Sequence, residues 1–312
     1  MDEQRDSLIK RVVYRLVKKH IAGSTADSAL TLVRELNGKG MHATVTFLNE
    51  GANDVTRARY NANTYSQIAR QIARLHLNAG ISVRLSQVGL LPSDNALERC
   101  MEDIIKVTKP YGINLWLESE DHVSTDELFS IYRRYRQVHK PIGIELPIWE
   151  PLDKSFIRDN IREGDFVKLV SYTHKKGAPA KIEKNGKGQN GDSDGKSRSK
   201  KEELAVYVSN IGRLLQEGAT VYVLEPDEKM IAKLGGFSKE YKRNLIFELP
   251  LGYNNRHMAR LLKMRIRMGV YIPYGKDWTP YVINKLTEGH MRDLAAAVLY
   301  GKKAGAANAK NL

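Results

Sequence analysis

The chain has 312 residues, 42% of them hydrophobic, and carries a formal net charge of +14. That is enough for one large domain or two small ones around a well-buried core, and no run approaches the ~18 apolar residues that would span a bilayer. Its single cysteine, Cys100, excludes an internal disulfide and any cysteine-based zinc site.

The N-terminal stretch MDEQRDSLIKRVVYRLVKKH has neither the apolar core nor the small-residue cleavage site of a signal peptide, so a cytoplasmic location is expected. Residues 1–40 read as two amphipathic helices separated by Ala-Gly-Ser at 22–24. From residue 41 short apolar runs recur: 42–48, 81–88, 113–119, 142–149, 166–173, 219–225, 244–251 and 270–275. Each is rich in Val, Ile, Leu or Tyr and bounded by turn residues, as buried parallel strands are. Between them lie faces of helical period, such as Tyr65, Ile68, Ile72 and Leu75, with Gly80 as the expected helix stop. Leu97, Cys100, Met101 and Ile104 form the next face, which makes Cys100 a buried structural thiol. Ser124 and Glu127 have capping-box spacing.

Eight strand–helix units predict a (β/α)8 barrel over 41–300. An open doubly wound sheet competes, but the turn after the first strand, FLNEGAND, has no glycine fingerprint for phosphate. Residues 175–201, after the fifth strand, hold nine Lys/Arg against three acids, and the tail from 301 adds three lysines. Both segments, the loop at about 177–201 and the tail 301–312, read as disordered. Much of the positive charge sits there without interleaved aromatics, so a specific nucleic-acid face is not expected; attraction to an anionic membrane surface is compatible with it.

In a barrel the working residues stand at strand exits. Those exits offer Asn49, Glu50, Arg84, Gln87, Glu118, Glu120, Glu145, Lys168, His174, Glu225, Glu248 and the aromatic group Tyr271, Tyr274 and Trp278. The mixture suits a planar, partly anionic ligand with an amine or imine substrate. Arg84, Glu145, Lys168 and Glu248 could instead neutralise one another inside the barrel, and Lys168 could serve as a Schiff-base lysine. The histidines show no metal-ligand spacing.

The stretches ISVRLSQVGL, FVKLVSY, LIFELPLG and VYIPYGKDWTPYVINKLTEG, in that order, resemble the proline dehydrogenase family from about residue 41 to 290. The resemblance implies a flavin-containing (β/α)8 barrel that binds FAD and oxidises proline, or a related cyclic amino acid, to an imine. A membrane quinone is the implied electron acceptor. Tyr271 and Tyr281 match tyrosines that line the family's substrate pocket, and Glu288 matches the glutamate of its Arg-Arg-x-x-Glu helix. The two arginines of that helix are here Asn284 and Lys285, and the pocket lysine on the second strand is Arg84. The acidic residue on the third strand falls at Trp116, with Glu118 two residues on. Lys168, Ser171 and Glu225 stand where the family contacts its flavin, and Pro147 replaces a glutamine. Arginine grips a carboxylate through a planar fork, whereas lysine offers a point charge. On these substitutions a second reading is a barrel that has lost catalysis and serves as a binding or scaffold protein.

Overall fold

The computed structural model describes residues 18–89, 94–120, 123–147, 151–170, 199–226, 228–241, 243–252 and 255–282. Eight parallel strands close into a barrel in chain order: β1 (His42–Phe47), β2 (Ala79–Val83), β3 (Leu115–Leu117), β4 (Ile142–Pro147), β5 (Phe166–Val170), β6 (Thr220–Leu224), β7 (Leu245–Pro250) and β8 (Arg267–Tyr274). Closure is made by β8 on β1, with Thr44 beside Tyr271 and Phe47 beside Tyr274. The helices α1 (Ala26–Gly38), α2 (Val55–Arg74), α3 (Asp94–Thr108), α4 (Thr125–Arg136), α5 (Lys154–Asn160), α6 (Lys200–Gln216), α7 (Glu228–Glu240) and α8 (Asn255–Lys263) complete the units. The expected (β/α)8 barrel is therefore the fold.

The strands alternate, and their two faces differ in chemistry. One set, including Ala43, Val45, Ile81, Val83, Leu115, Leu117, Val167, Leu169, Val221, Val223 and Phe247, joins the helix faces in a continuous apolar shell. The other set fills the lumen. Its lower layer is Phe166, Trp116, Tyr222 and Ile246. Its upper layer, at the C-terminal strand ends, is Val170, Leu224 and Tyr271, joined by Leu48, Tyr281 and Val282. Between them lie buried polar groups: Thr44, Ser82, Lys168 and Glu248.

Local signals explain most boundaries. Thr25, Asp54, Ser124, Asp153 and Ser199 cap α1, α2, α4, α5 and α6 by accepting a backbone N–H. The reciprocal capping box forms at Ser199 and Glu202; at Ser124 the hydroxyl accepts from the Glu127 N–H. Because α6 begins at Lys200, the last two residues of the basic stretch 177–201 are helical. Gly80 does not end a helix. His76, at φ 49°, makes the left-handed turn after α2, and Gly80 lies inside β2. A Cβ on Gly80 would stand 2.8 Å from the Asn114 carbonyl oxygen, so close strand approach explains the residue. Cys100 is buried as expected.

Of the two N-terminal helices expected, α1 packs on β1 and β8. The other falls mostly before residue 18, outside the described residues, where His20 ends a short 3-10 turn. Most of the basic loop and the tail 301–312 also lie outside them. Among the described residues no helix is long and apolar enough to cross a membrane.

Candidate active site

The C-terminal mouth of the barrel carries a chain of linked side chains. Arg84 follows β2 directly, at the start of a 3-10 turn, Leu85–Gln87. Its Nε donates to Glu118 Oε2 at 3.0 Å. From the opposite wall, Tyr271 on β8 donates its hydroxyl to Glu118 Oε1 at 2.6 Å. A contact between β8 and the end of β3 can be made only through the lumen. Glu118 is 5% exposed and Arg84 is the more open partner.

Burial alone would raise the Glu118 carboxyl; the Arg84 charge and the Tyr271 hydroxyl outweigh it and hold the carboxyl below its ordinary range. Burial and the neighbouring Glu118 charge push the Tyr271 phenol well above its usual value, so it stays a donor. The Arg84 guanidinium is held charged: desolvation opposes the charge, and Glu118, Tyr271 and Glu120 together more than offset it. Only its Nε is given to Glu118, which leaves a guanidinium edge for a second anion.

One layer deeper lies a separate pair. Lys168 on β5 and Glu248 on β7, both fully buried, meet at 2.5 Å. Glu248 also accepts the Thr44 hydroxyl at 2.5 Å, and His42 Nε2 is 3.8 Å away. The ammonium lies 4.5 Å from the Trp116 ring centre and 5.3 Å from that of Tyr271, so aromatic faces cover its other sides. Burial lowers the His42 pKa against the opposing pull of Glu248. A Schiff-base role needs an amine that a carbonyl can reach; Lys168 is enclosed and held by a carboxylate.

The structure thus brings Arg84, Tyr271 and Tyr281 to one mouth, with Tyr281 and Tyr271 in the same apolar cluster. Lys168 lies below them, its charge answered by Glu248. Glu225 directly follows β6 with φ 54°, a left-handed conformation uncommon for a residue other than glycine, and its N–H donates to the Glu248 carbonyl at 2.9 Å. Lys285, Glu288 and Ser171, with Asn284 and His174, lie outside the described residues. Trp116 belongs to the lower layer beside Lys168, and the carboxylate at the mouth is Glu118, the alternative two residues on. Glu145 takes a hydrogen bond from Ser119 at 3.3 Å.

Two features go beyond the list of strand exits. The first is a polar tie beneath the β1 and β2 exits, where Tyr65 donates to Gln87 at 2.5 Å and the Gln87 amide donates to the Asn49 carbonyl at 2.6 Å. The second is Ile21, far upstream, which is buried in the apolar cluster of the mouth. The Gln87 position in SVRLSQVGL signalled the first; nothing in the sequence pattern signalled the second.

No family model matches the chain. Among curated proteins it is 25% identical to proline dehydrogenase 1 of Bacillus subtilis over 87% of this chain and 86% of that protein. It is 22% identical to proline dehydrogenase of Deinococcus radiodurans over 91% of this chain and 90% of that one. Among solved structures it superposes on proline utilization A of Bdellovibrio bacteriovorus, inactivated by N-propargylglycine, with a TM-score of 0.71 at 15% identity. That match covers 90% of this chain and 33% of the other. Proline utilization A of Corynebacterium freiburgense gives 0.64 at 14% identity, over 96% of this chain and 35% of the other. The chain therefore spans about a third of the length of those solved chains. An eight-stranded barrel closed in this order, and similarity to curated proteins along almost all of both chains, make this chain a divergent relative of the proline dehydrogenases.

Proposed function

We propose that the chain is a flavin-dependent oxidoreductase that oxidises proline, or a closely related cyclic amino acid, at the carbon beside its nitrogen. The observation that carries this reading is the Arg84–Glu118–Tyr271 triad at the barrel mouth. A cyclic amino acid brings a carboxylate and a secondary amine, and the triad offers a guanidinium and a carboxylate next to an apolar wall. Arg84, steered through Nε by Glu118, would hold the substrate carboxylate with its terminal amino groups. Lys285 and Glu288, which follow Tyr281 in the sequence, would complete the polar end. Tyr271 and Tyr281 would flank the aliphatic ring, and the cluster of Val170, Leu224, Leu48 and Val282 would keep water from it.

The chain also has residues that fit FAD. Lys168, enclosed beneath the mouth and paired with Glu248, would act on the group through its charge from the layer below and not through a free donor. Lys168, Glu225 and Ser171 are the side chains that would hold the group. When bound, FAD supplies the two-electron acceptor for the hydride. The residues of this chain orient the ring, balance its charges and exclude water. A membrane quinone would receive the electrons in turn, at a protein in the cytoplasm or peripheral to the membrane. The division into residues 1–40, a barrel over 41–300 and a tail is part of the same proposal.

Purified protein reconstituted with FAD should show flavin absorption that bleaches on addition of proline. Arg84→Ala should lower kcat/KM for proline by about tenfold or more, mainly through KM, because a charge-assisted bond is worth ~1.5–3 kcal/mol. A protein that neither takes up flavin nor gains thermal stability from it would favour the binding or scaffold reading instead.

A further inference from the structure

We infer that Ile21 is a wall of the substrate pocket and sets the size of the ring the pocket admits; this rests on the proline-type reading above. Ile21 belongs to no element of the barrel, yet it is 4% exposed. It shares one apolar cluster with Val170 and Leu224, which end β5 and β6, and with Tyr271 on β8 and Tyr281. A residue from outside the barrel thus closes the ring of strand ends against which the two pocket tyrosines stand.

The segment that carries it is fixed on both sides. Before it, the His20 Nδ1–H donates to the Leu251 carbonyl at 2.9 Å. After it, the Ala22 N–H donates to the Pro273 carbonyl at 2.8 Å, and the Gly275 N–H donates to the Gly23 carbonyl at 3.0 Å. The β7 exit is shaped to receive the strap: a Cβ on Gly252 would stand 2.5 Å from the Lys19 carbonyl oxygen. Of these three hydrogen bonds, one ties the strap to the β7 exit and two tie it to β8, the strand that bears Tyr271, and its exit. The Ile21 side chain is β-branched and stiff, so its volume is set with little freedom to yield. A wall of that kind discriminates by methylene count, and one methylene in an apolar pocket is worth about 10- to 200-fold in kcat/KM.

The test uses the full chain loaded with FAD, as wild type, Ile21→Val and Ile21→Ala. Turnover of proline is compared with that of piperidine-2-carboxylate, its six-membered homologue. Equilibrium binding of cyclopentanecarboxylate and cyclohexanecarboxylate reads the same preference without turnover. Ile21→Ala should shift the six-to-five ratio by about tenfold toward the larger ring in both measurements, with Ile21→Val between. If Ile21→Ala does not fold, an intermediate shift in Ile21→Val supports the inference and an unmoved ratio overturns it. A loss of melting temperature with an unchanged ratio shows a purely structural residue and overturns it as well. A wild type that binds neither ring acid overturns the proline-type reading and this inference with it. A wild type that binds cyclopentanecarboxylate, beside variants with an unmoved ratio, overturns only the role of Ile21.

Discussion

At the scale of single residues the lumen holds two ion pairs of different purpose. Arg84–Glu118 is open on its cationic side and offers that side to a ligand, whereas Lys168–Glu248 is closed. A buried pair adds little net stability over apolar residues of the same size, but removing one partner strands a charge in a medium that cannot solvate it. Lys168→Met should therefore destabilise the fold by about 3–5 kcal/mol, read from urea denaturation, and Lys168→Met with Glu248→Leu should recover most of that. A single variant as stable as wild type would mean that the pair is not buried as described. A Lys168 variant can lose flavin through a collapsed lumen as well as through a lost contact. The variant must first be shown to keep its lumen.

At the scale of elements, the lower layer depends on two strand positions without side chains. Trp116 occupies the lumen because Gly143, opposite on β4, leaves room: a Cβ there would stand 2.4 Å from the indole ring. Gly269 does the same for His42, at 1.9 Å. Gly143→Ala should thus destabilise the barrel by about 1–3 kcal/mol through overpacking, and Trp116→Phe in the same chain should relieve part of it. Additive losses in the double variant would refute the contact. This layer also shows how far the sequence was legible. Strand–helix alternation was plain because the outward residues, such as Val45, Val83 and Leu117, must be apolar to meet the helices. The inward residues escape that rule, since the lumen accepts a lysine, a threonine or a tryptophan if each finds its partner. Periodicity therefore located the strands and exits, and with them Arg84 and Glu118. It could not reveal that Glu118 is bonded by Tyr271, 153 residues later in the chain. Ile21 is harder still, because a single apolar residue between Lys19-His20 and Ala22-Gly23 carries no period at all.

At the scale of the whole molecule the partly and fully buried histidines act in one direction on stability. Burial lowers the pKa of His42 near the bottom of the barrel, of His139 after α4, and of His20 on the strap. Backbone carbonyls oppose the shift at each, from Met268, Ile113 and Leu251, but do not cancel it. The folded chain binds protons on these rings less readily than the unfolded chain, which takes them up as pH falls below ~6.5. More protons on the unfolded state means that stability rises with pH, so their contribution is complete above ~6.5 and is lost as pH drops toward the lowered folded values. Glu118 works the same way in a lower window. Its carboxyl is depressed in the fold, so its contribution is full above the unfolded value near 4.3 and disappears as pH falls through the folded one. The unfolding midpoint in urea should therefore be lower at pH 5.5 than at pH 7.5, with the loss over this range due to the histidines and not to Glu118. Each histidine that stays neutral contributes a slope of at most ~1.4 kcal/mol per pH unit. His42→Gln should flatten the dependence by up to that amount, because the partly buried ring stands in the fields of Glu248, Lys168 and Arg267. Stability that holds level or increases from pH 7.5 to 5.5 would show that these rings are protonated in the fold.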